Sequence, residues 1–201
     1  GEDGRIQGMF EYIGIPYSGS GILSSAIGIN KAVQKKLMVT SGFDSPAFFS
    51  ILKNDFNPEK VELLYKRTRK EIGFPCVIKP ANQGSSIGVT ILNTDSKEAF
   101  ENALMNAFFV KTISAEEWKT VTNPTEYIRT LTDIREGVGI PLTVIIGSKK
   151  ETVHHPEVLL AKFEDAFRTG AQEISLESLD SESEVLIEGF IEGKEFSCIV
   201  I

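Results

Sequence analysis

This sequence contains few of the side chains that form metal centres or nucleophilic triads. It has two histidines and two cysteines in 201 residues, and no cysteine or aspartate cluster adjoins the histidine pair, His154-His155. The proline that follows this pair predicts that it starts a helix rather than binds a metal ion. No Ser-His-Asp or Cys-His arrangement is indicated either. The sequence therefore predicts no metal ligands among its own residues.

The charge and the apolar runs exclude two broad classes of partner. The net charge is -7 and the pI is about 5.0, so the chain has no general electrostatic attraction to nucleic acid or anionic lipid. No apolar run approaches the ~20 residues that a membrane-spanning helix needs. Cys76 and Cys198 each lie in an apolar run, which predicts buried, reduced thiols in a cytoplasmic protein. Any anion that the chain binds must be held by a local site.

Two common nucleotide-binding signatures are also missing. The sequence has no Gly-x-x-x-x-Gly-Lys-Ser/Thr and no Gly-x-Gly-x-x-Gly after a strand. Instead, segment 77–89 (VIKPANQGSSIGV) carries Lys79 on an apolar strand, followed by a loop in which glycines flank Ser85 and Ser86. Glycines let a backbone approach phosphate closely, and hydroxyl and N–H groups donate to its oxygens. This segment predicts a polyphosphate site with a mobile flap; the alternative is a strand-end lysine beside an ordinary turn.

Two carboxylates interrupt the apolar strands at the end of the chain. Glu188 lies within one apolar run and Glu195 begins the next. An ionised carboxylate only accepts hydrogen bonds, so it suits ribose hydroxyls and the adenine amino group. The alternative for each is an exposed charge at a strand edge.

The hydrophobic periodicity predicts a mixture of helices and strands, so the fold class is α/β (α+β). Helices are predicted at 2–13, 24–41, 57–72, 95–108, from Ser114 onward and at 156–168. Strands are predicted at 47–52, 74–80, 87–92, 142–146, 185–191 and 195–201. The polar, acidic segment 175–184 is predicted to be an exposed connection.

Five segments resemble the D-alanine–D-alanine ligases of the ATP-grasp superfamily. They are GEDGRIQG (1–8), GIPYSGSG (14–21), Lys31, IKPANQGSSIG (78–88) and VLIEGFIEGKEF (185–196). The resemblance covers roughly residues 1–105 and 184–201. The first and third extended motifs are specific to this ligase group, whereas a lysine on a strand is shared across ATP-grasp enzymes.

The resemblance implies a division of the chain. Residues 1–30 would be the tail of an N-terminal pre-ATP-grasp domain, and 31–195 the central ATP-grasp subdomain with a mixed or antiparallel sheet. Residues 196–201 would begin a C-terminal subdomain. Residues at about 106–183 match nothing in the family plan and are expected to be an inserted α/β module. Both ends of the chain are expected to continue in a longer protein.

The same resemblance implies roles for individual residues. Lys79 and Ser85 would be catalytic, and Glu2 and Ser85 would bind the substrate D-alanine. The ATP-binding residues would be Lys31, Lys79, Gly84, Ser85, Ser86, Glu188, Phe190, Ile191 and Glu195. The Mg²⁺ that accompanies ATP would be held by the C-terminal subdomain.

The implied reaction joins two D-alanines for peptidoglycan precursor synthesis. ATP phosphorylates the carboxylate of one D-alanine, and the amine of the second attacks the acyl phosphate. The 201-residue piece is expected to be inactive alone, its partners are small molecules, and a homodimer is an assembly common in the family. Two alternatives stay open: another ATP-grasp carboxylate–amine ligase, or a nucleotide-binding module without turnover.

Overall fold

The computed structural model describes residues 2–194 and 196, which form helices and two four-stranded antiparallel sheets. The helices are α1 (Arg5–Tyr12), α2 (Ile22–Ile29), α3 (Lys31–Thr40), α4 (Val61–Glu71), α5 (Lys97–Ala107), α6 (Ala115–Thr120), α7 (Pro124–Thr132) and α8 (Pro156–Arg168), with short 3-10 turns at Lys53–Asp55 and Pro58–Lys60. The strands are β1 (Phe48–Leu52), β2 (Cys76–Pro80), β3 (Thr90–Leu92), β4 (Val110–Ser114), β5 (Leu142–Ile146), β6 (Lys149–Val153), β7 (Glu173–Ser178) and β8 (Glu184–Gly189). The predicted α/β class is confirmed. The predicted strand 195–201 and Cys198 lie outside the described residues.

The first sheet has the strand order β1-β8-β2-β3, and β2 and β8 are its two central strands. Successive side chains of a strand point to opposite faces. On β2 the side chains of Cys76 and Ile78 are fully buried against α4 and α5, whereas Val77 and Lys79 point to the other face. Burial raises the pKa of the Cys76 thiol to about 11, as expected for a structural cysteine. One face of the sheet is therefore core, and the other is left to carry a site.

Helix α3 packs on part of that second face. Ala32 lies at the contact with Ala81 and Leu186, and all three are fully buried. The sequence predicted one helix over 24–41, but the structure has two, because Asn30 adopts an extended conformation (φ -84°, ψ 99°). The Asn30 side chain accepts a hydrogen bond from the Val33 N–H at 2.8 Å and so caps α3. This cap separates α3 from α2 and sets the start of the helix that carries Lys31.

The second sheet, with the order β4-β7-β5-β6, is built from residues within the segment expected to be an inserted module. Helices α6, α7 and α8 cover one of its faces, and their apolar side chains form a separate core. The fully or almost fully buried members are Ile113, Ile128, Leu131, Val138, Leu142, Val144, Val153, Leu159, Phe163, Ile174 and Leu176. The predicted helix at 156–168 and the predicted strand at 142–146 are both confirmed. His155 occupies the N-cap position of α8, at the helix start that the sequence predicted.

The segment 175–184 was wrongly predicted to be an exposed connection. Strand β7 runs through its first part, with Ile174, Leu176 and Ser178 buried and the polar residues between them on the opposite face. Every second residue of β7 is polar, so its apolar content was too low to be recognised as a strand. In the following connection, Glu182 is only 4% exposed.

Hydrogen bonds join the two sheets where the chain leaves the first sheet and where it returns to it. Ser178 N–H donates to the Phe109 carbonyl at 3.0 Å, which joins the outgoing and returning segments. Lys53, which follows β1, bonds Glu177 Oε1 at 2.5 Å and Ser181 Oγ at 2.6 Å. Among the described residues, no helix is long and apolar enough to cross a membrane.

The turn between α7 and β5 makes a sharp steric prediction. A Cβ atom on Gly137 would lie 2.5 Å from the Thr130 carbonyl oxygen and 2.6 Å from Leu131 Cα, both backbone atoms that cannot move alone. Gly137→Ala should therefore destabilise the protein by about 1–3 kcal/mol, the usual cost of overpacking. Urea unfolding followed by circular dichroism measures this change in the free energy of unfolding.

Gly8→Ala is the matched control for this substitution. Gly8 lies within α1, and its Cβ would meet only Ile22 Cδ1 at 3.7 Å. Alanine is about 1 kcal/mol better than glycine in a helix, so this variant should be as stable as the parent or more stable. Equal losses in the two variants would contradict the packing described for Gly137.

Candidate functional site

The pairing of β2 with β8 brings one lysine and one glutamate together on the open face of the first sheet. Lys79 lies opposite Leu186, and Val77 lies opposite Glu188. Directly opposed residues share a face, so Lys79 and Glu188 are diagonal neighbours on it. The Lys79 ammonium donates a hydrogen bond to Glu188 Oε1. The lone lysine of an apolar strand thus has a negative partner.

A second lysine reaches the same carboxylate from helix α3. Lys35 Nζ lies 2.9 Å from Glu188 Oε2, and the side chains of Lys35, Lys79 and Glu188 are 17%, 20% and 10% exposed. Burial opposes ionisation of Glu188, but the hydrogen bond from Lys79 and the ion pairs with Lys79 and Lys35 together hold its pKa below the usual range. No role was predicted for Lys35 from the sequence. Its position four residues after Lys31, on the same helix face, was the available signal.

Lys31, at the first position of α3, faces the loop that follows β2. Its ammonium donates to the Gln83 carbonyl, and its own N–H donates to the Ala81 carbonyl at 2.9 Å. Burial, together with the charge of Lys79, lowers the pKa of Lys31, while Glu182 opposes that shift. Lys31, Lys79 and Glu188 all line one pocket on the open face of the first sheet. Lys31, Lys79 and Lys35 carry three positive charges against the two carboxylates that interact with them, Glu188 and Glu182, and this excess favours an anion.

The loop at 84–88 has an unusual backbone. Ser85 (φ 51°) and Ser86 (φ 57°) are both in the left-handed region, which non-glycine residues adopt at a cost. At Gly88 (φ 70°) any other residue would be strained, because its backbone is in the left-handed region and a Cβ would lie 2.7 Å from Pro80 Cγ. Ser85 and Ser86 are exposed and line the same cavity as Lys31 and Lys79. The loop therefore presents two hydroxyls and its backbone N–H groups beside the lysines.

These elements enclose an open cavity of about 800 Å³, within the range of small-molecule sites. One end is cationic, with Lys31 and Lys79 beside the loop at 84–88, which we call the serine loop. Val77 and its partner Ile91 lie two residues farther from this loop along the strands, and Phe190 and Ile191 follow the end of β8, so the other end is apolar. A ligand with a flat apolar part and a polyanionic tail fits this division.

The structure brings together eight residues that the sequence analysis proposed for one site. They are Lys31, Lys79, Gly84, Ser85, Ser86, Glu188, Phe190 and Ile191. Glu2 lies just outside, with its Oε2 3.5 Å from where a Gly84 Cβ would be, in a smaller recess shared with Asp3, Ile29 and Asn82. Glu195 lies outside the described residues.

Two further groups near the site were not foreseen. Lys35 was not assigned because its partner, Glu188, is distant in the sequence. Glu182 lies in a segment predicted to be exposed, yet it accepts hydrogen bonds from Asn82, two residues before the serine loop begins. Burial raises the pKa of Glu182, although bonds from Asn82 and the charge of Lys31 oppose that shift.

Comparison with known proteins gives consistent matches. A family model described as the D-ala D-ala ligase C-terminus matches residues 37–124. The D-alanine–D-alanine ligase of Desulforamulus reducens is 44% identical over 106 residues, which are 52% of this chain and 34% of that relative. The chain thus spans about a third of the length of this curated relative.

Two solved structures extend the comparison to the fold. The VanG D-Ala:D-Ser ligase of Enterococcus faecalis has a TM-score of 0.52 and 21% identity, over 96% of this chain and 33% of that one. The D-alanine–D-alanine ligase of Helicobacter pylori has a TM-score of 0.50 and 19% identity, over 96% of this chain and 34% of that one. At these identities the likeness shows the fold alone, which is the ATP-grasp fold. The fold expected from the sequence is confirmed.

The Glu188 ion pairs predict a defined pH dependence of stability. Because the pKa of Glu188 is lowered on folding, its contribution is present at neutral pH and is lost as the pH falls through the folded-state pKa, below the ordinary value of 4.5. Glu188→Gln leaves Lys79 and Lys35 without their counter-charge and should cost about 2–4 kcal/mol at pH 7. Urea unfolding from pH 7 to pH 3 should show the difference from the parent shrinking only below pH 4.5.

Glu126→Gln provides the control for that series. Glu126 is 63% exposed and pairs with Arg129 at 3.9 Å on the surface of α7. Its removal should change the free energy of unfolding by well under about 1 kcal/mol at every pH. A Glu188→Gln difference as small as this, or one that grows in acid, would contradict the ion pairs described here.

Proposed function

We propose that this chain, which is a member of the D-alanine–D-alanine ligase family, forms one wall of the ATP site of an enzyme that joins two D-alanines. The observation that carries the proposal is the cavity in which Lys31 and Lys79 face a loop with two exposed serines. An apolar wall at the opposite end of the same cavity supports a nucleotide rather than a simple anion. Because the chain spans about a third of its relative, the remaining groups of the active site belong to the rest of the protein.

The cationic end would hold the triphosphate. Phosphoryl transfer requires positioning and neutralisation of negative charge more than covalent chemistry by the protein. Lys79 and Lys31 supply that charge, and the Ser85 and Ser86 hydroxyls and the loop N–H groups donate to phosphoryl oxygens. In the absence of nucleotide, Glu188 keeps Lys79 and Lys35 from repelling each other. Glu188 therefore keeps the cationic site assembled before ATP arrives.

The apolar end would hold the base. Val77 and Ile91 from the sheet and Phe190 and Ile191 after β8 offer a surface against which a flat ring can pack. The Phe190 N–H already donates to the Pro75 carbonyl at 3.2 Å. Other backbone groups of 190–191 would therefore recognise the edge of the base. Glu195 is proposed for the ribose hydroxyls, since a carboxylate accepts from both.

The substrate would lie between Glu2 and the serine loop. The Glu2 carboxylate is beside Gly84 and suits the ammonium group of a D-alanine, while Ser85 would bind the carboxylate that is phosphorylated. That carboxylate oxygen attacks the γ-phosphorus of ATP, and ADP leaves. The amine of the second D-alanine then attacks the acyl phosphate, an amide bond forms and phosphate departs. Holding these groups in line is the main contribution of this wall.

The described part of the site does not fit a magnesium ion. Its buried carboxylate, Glu188, is paired with two ammonium groups, and the described residues contain no group of three or more acidic, histidine or cysteine side chains that could hold a metal. We assign no step of the reaction on this wall to Mg²⁺. Its ligands are proposed to lie in the C-terminal subdomain that begins at 196–201.

The domain plan forms part of the same proposal. Residues 1–30 would close a preceding domain, 31–195 would form the central subdomain, and about 106–183 would be an insertion into it. The separate apolar core of the second sheet supports an insertion that packs independently. We also propose that the protein is a cytoplasmic homodimer, and this part of the proposal rests on the family resemblance alone.

Lys79 gives the most direct test of the nucleotide site. Lys79→Ala should weaken ATP binding more than tenfold, about 1.4 kcal/mol or more, because a partly buried charge beside the phosphates is lost. Isothermal titration calorimetry with ATP on the parent and variant measures the change. Lys149→Ala removes the same charge from the exposed end of β6 and should leave the affinity unaltered. Equal affinity in the Lys79 variant and the parent would reject the phosphate role.

The chemical step needs a separate measurement. The protein that contains this chain should release phosphate from ATP when D-alanine is added, and D-alanyl-D-alanine should appear in equal amount. Phosphate release with another acid and amine, but not with D-alanine, would establish the alternative ligase. ATP binding without phosphate release from any acid and amine pair would establish a nucleotide-binding module.

A further inference from the structure

A chain of side-chain hydrogen bonds runs behind the serine loop, from the start of helix α3 to the segment that returns from the second sheet. Asn30 Nδ2 donates to Asn82 Oδ1 at 3.0 Å. Asn82 Nδ2 donates in turn to Glu182 Oε2 at 3.0 Å, and the Asn82 N–H points to the same oxygen at 3.3 Å. We refer to Asn30, Asn82 and Glu182 as the amide relay.

The charge of Glu182 determines the direction of every bond in this relay. An ionised carboxylate only accepts, so Asn82 must turn its NH₂ group toward Glu182 and its oxygen toward Asn30. Asn30 must then present its NH₂ group to Asn82, which leaves its oxygen for the Val33 N–H at 2.8 Å. That last bond is the N-cap of α3. A buried carboxylate at one end therefore orients the cap at the other.

The relay touches both halves of the candidate phosphate site. Asn82 is followed by Gln83, whose carbonyl receives the Lys31 ammonium, and then by the serine loop. Asn30 precedes Lys31, and the helix that it caps also carries Lys35. Glu182 is 4% exposed and lies in the connection from β7 to β8. The second sheet is thus linked to the lysines and the loop by side chains that line no part of the nucleotide cavity.

We propose that Glu182 is a positioning residue, which acts through Asn82 and Asn30 to fix the start of the serine loop and the first turn of α3. It touches neither nucleotide nor substrate. Its effect on Lys31 and on the loop deepens the proposed function and rests on it. Its effect on the α3 cap is independent of that function. The second sheet would then stabilise the nucleotide site through the segment that returns from it.

Glu182→Gln tests the direction of the relay with little change in volume. A glutamine accepts hydrogen bonds more weakly than a carboxylate and can turn its NH₂ group toward the Asn82 side chain. At this end only the long bond from the Asn82 N–H then still favours the parent direction. The Val33 cap is then lost for part of the time. Hydrogen exchange of the first-turn amides of α3, measured by mass spectrometry without nucleotide, should become about threefold faster or more. ATP affinity should fall by a similar factor.

The double substitution Glu182→Gln with Asn82→Asp is the rescue variant. The introduced aspartate can only accept, so the introduced glutamine must donate to it and Asn30 must donate as before. The glutamine oxygen is then free to accept the backbone N–H of residue 82. Net charge is unchanged from the parent. Both the slow exchange and the ATP affinity should return to within about twofold of the parent. If Glu182 had only a structural role, moving the negative charge from residue 182 to residue 82 would not restore the slow exchange or the ATP affinity.

Asp180→Asn is the control, because Asp180 is exposed two residues away in the same connection. It should leave exchange and affinity as in the parent. Unchanged α3 exchange in Glu182→Gln, or failure of the double substitution to restore it, would overturn the proposal. If exchange behaves as expected but the parent binds no ATP, the relay stands and the proposed function fails.

Discussion

The candidate site depends on one carboxylate shared by two ammonium groups. Glu188 of β8 binds Lys79 of the neighbouring strand and Lys35 of helix α3. Without that negative charge, the two partly buried ammonium groups would repel each other on the open face of the sheet, and packing α3 on that face would cost free energy. Because the carboxylate is shared, positive charge remains in excess. The same contact therefore stabilises the fold and leaves an attraction for a polyanion.

The second sheet adds support behind this site rather than residues within the cavity. It has its own apolar core, from Ile113 to Leu176, and meets the first sheet where the chain leaves and returns. At the return, Glu182 binds Asn82, and Lys53 joins Glu177 and Ser181. A module attached in this way can stiffen the loop at 84–88 without adding groups to the cavity. This arrangement is the one expected if 106–183 is the insertion proposed above.

The parts of the site that could be predicted from the sequence are those that are contiguous in it. Lys79 and the loop with Ser85 and Ser86 lie within a few residues of each other, so an apolar strand, a lysine and paired glycines were enough to indicate a phosphate site. Helix 156–168 was likewise predictable from its apolar spacing and the proline at its start. The resemblance to a family predicted that Glu188 binds ATP, but it did not indicate that two lysines bind this carboxylate.

What could not be predicted depends on contacts between distant residues. The break between α2 and α3 follows from the conformation of Asn30, which the apolar pattern of 24–41 does not reveal. Strand β7 has alternating polar residues, and its pairing with β4 and β5 decides its structure more than its own composition does. Glu182 is buried only because the return segment folds against Asn82.

The central claim is that a triphosphate binds between Lys79 and the serine loop, and a crystal structure with a non-hydrolysable ATP analogue tests it most directly. The account predicts phosphoryl oxygens within hydrogen-bond distance of Lys79 Nζ and of the loop at 84–86, with the base against Phe190 and Ile191. An analogue bound elsewhere on the protein, with Lys79 still bonded to Glu188 and the cavity empty, would contradict it.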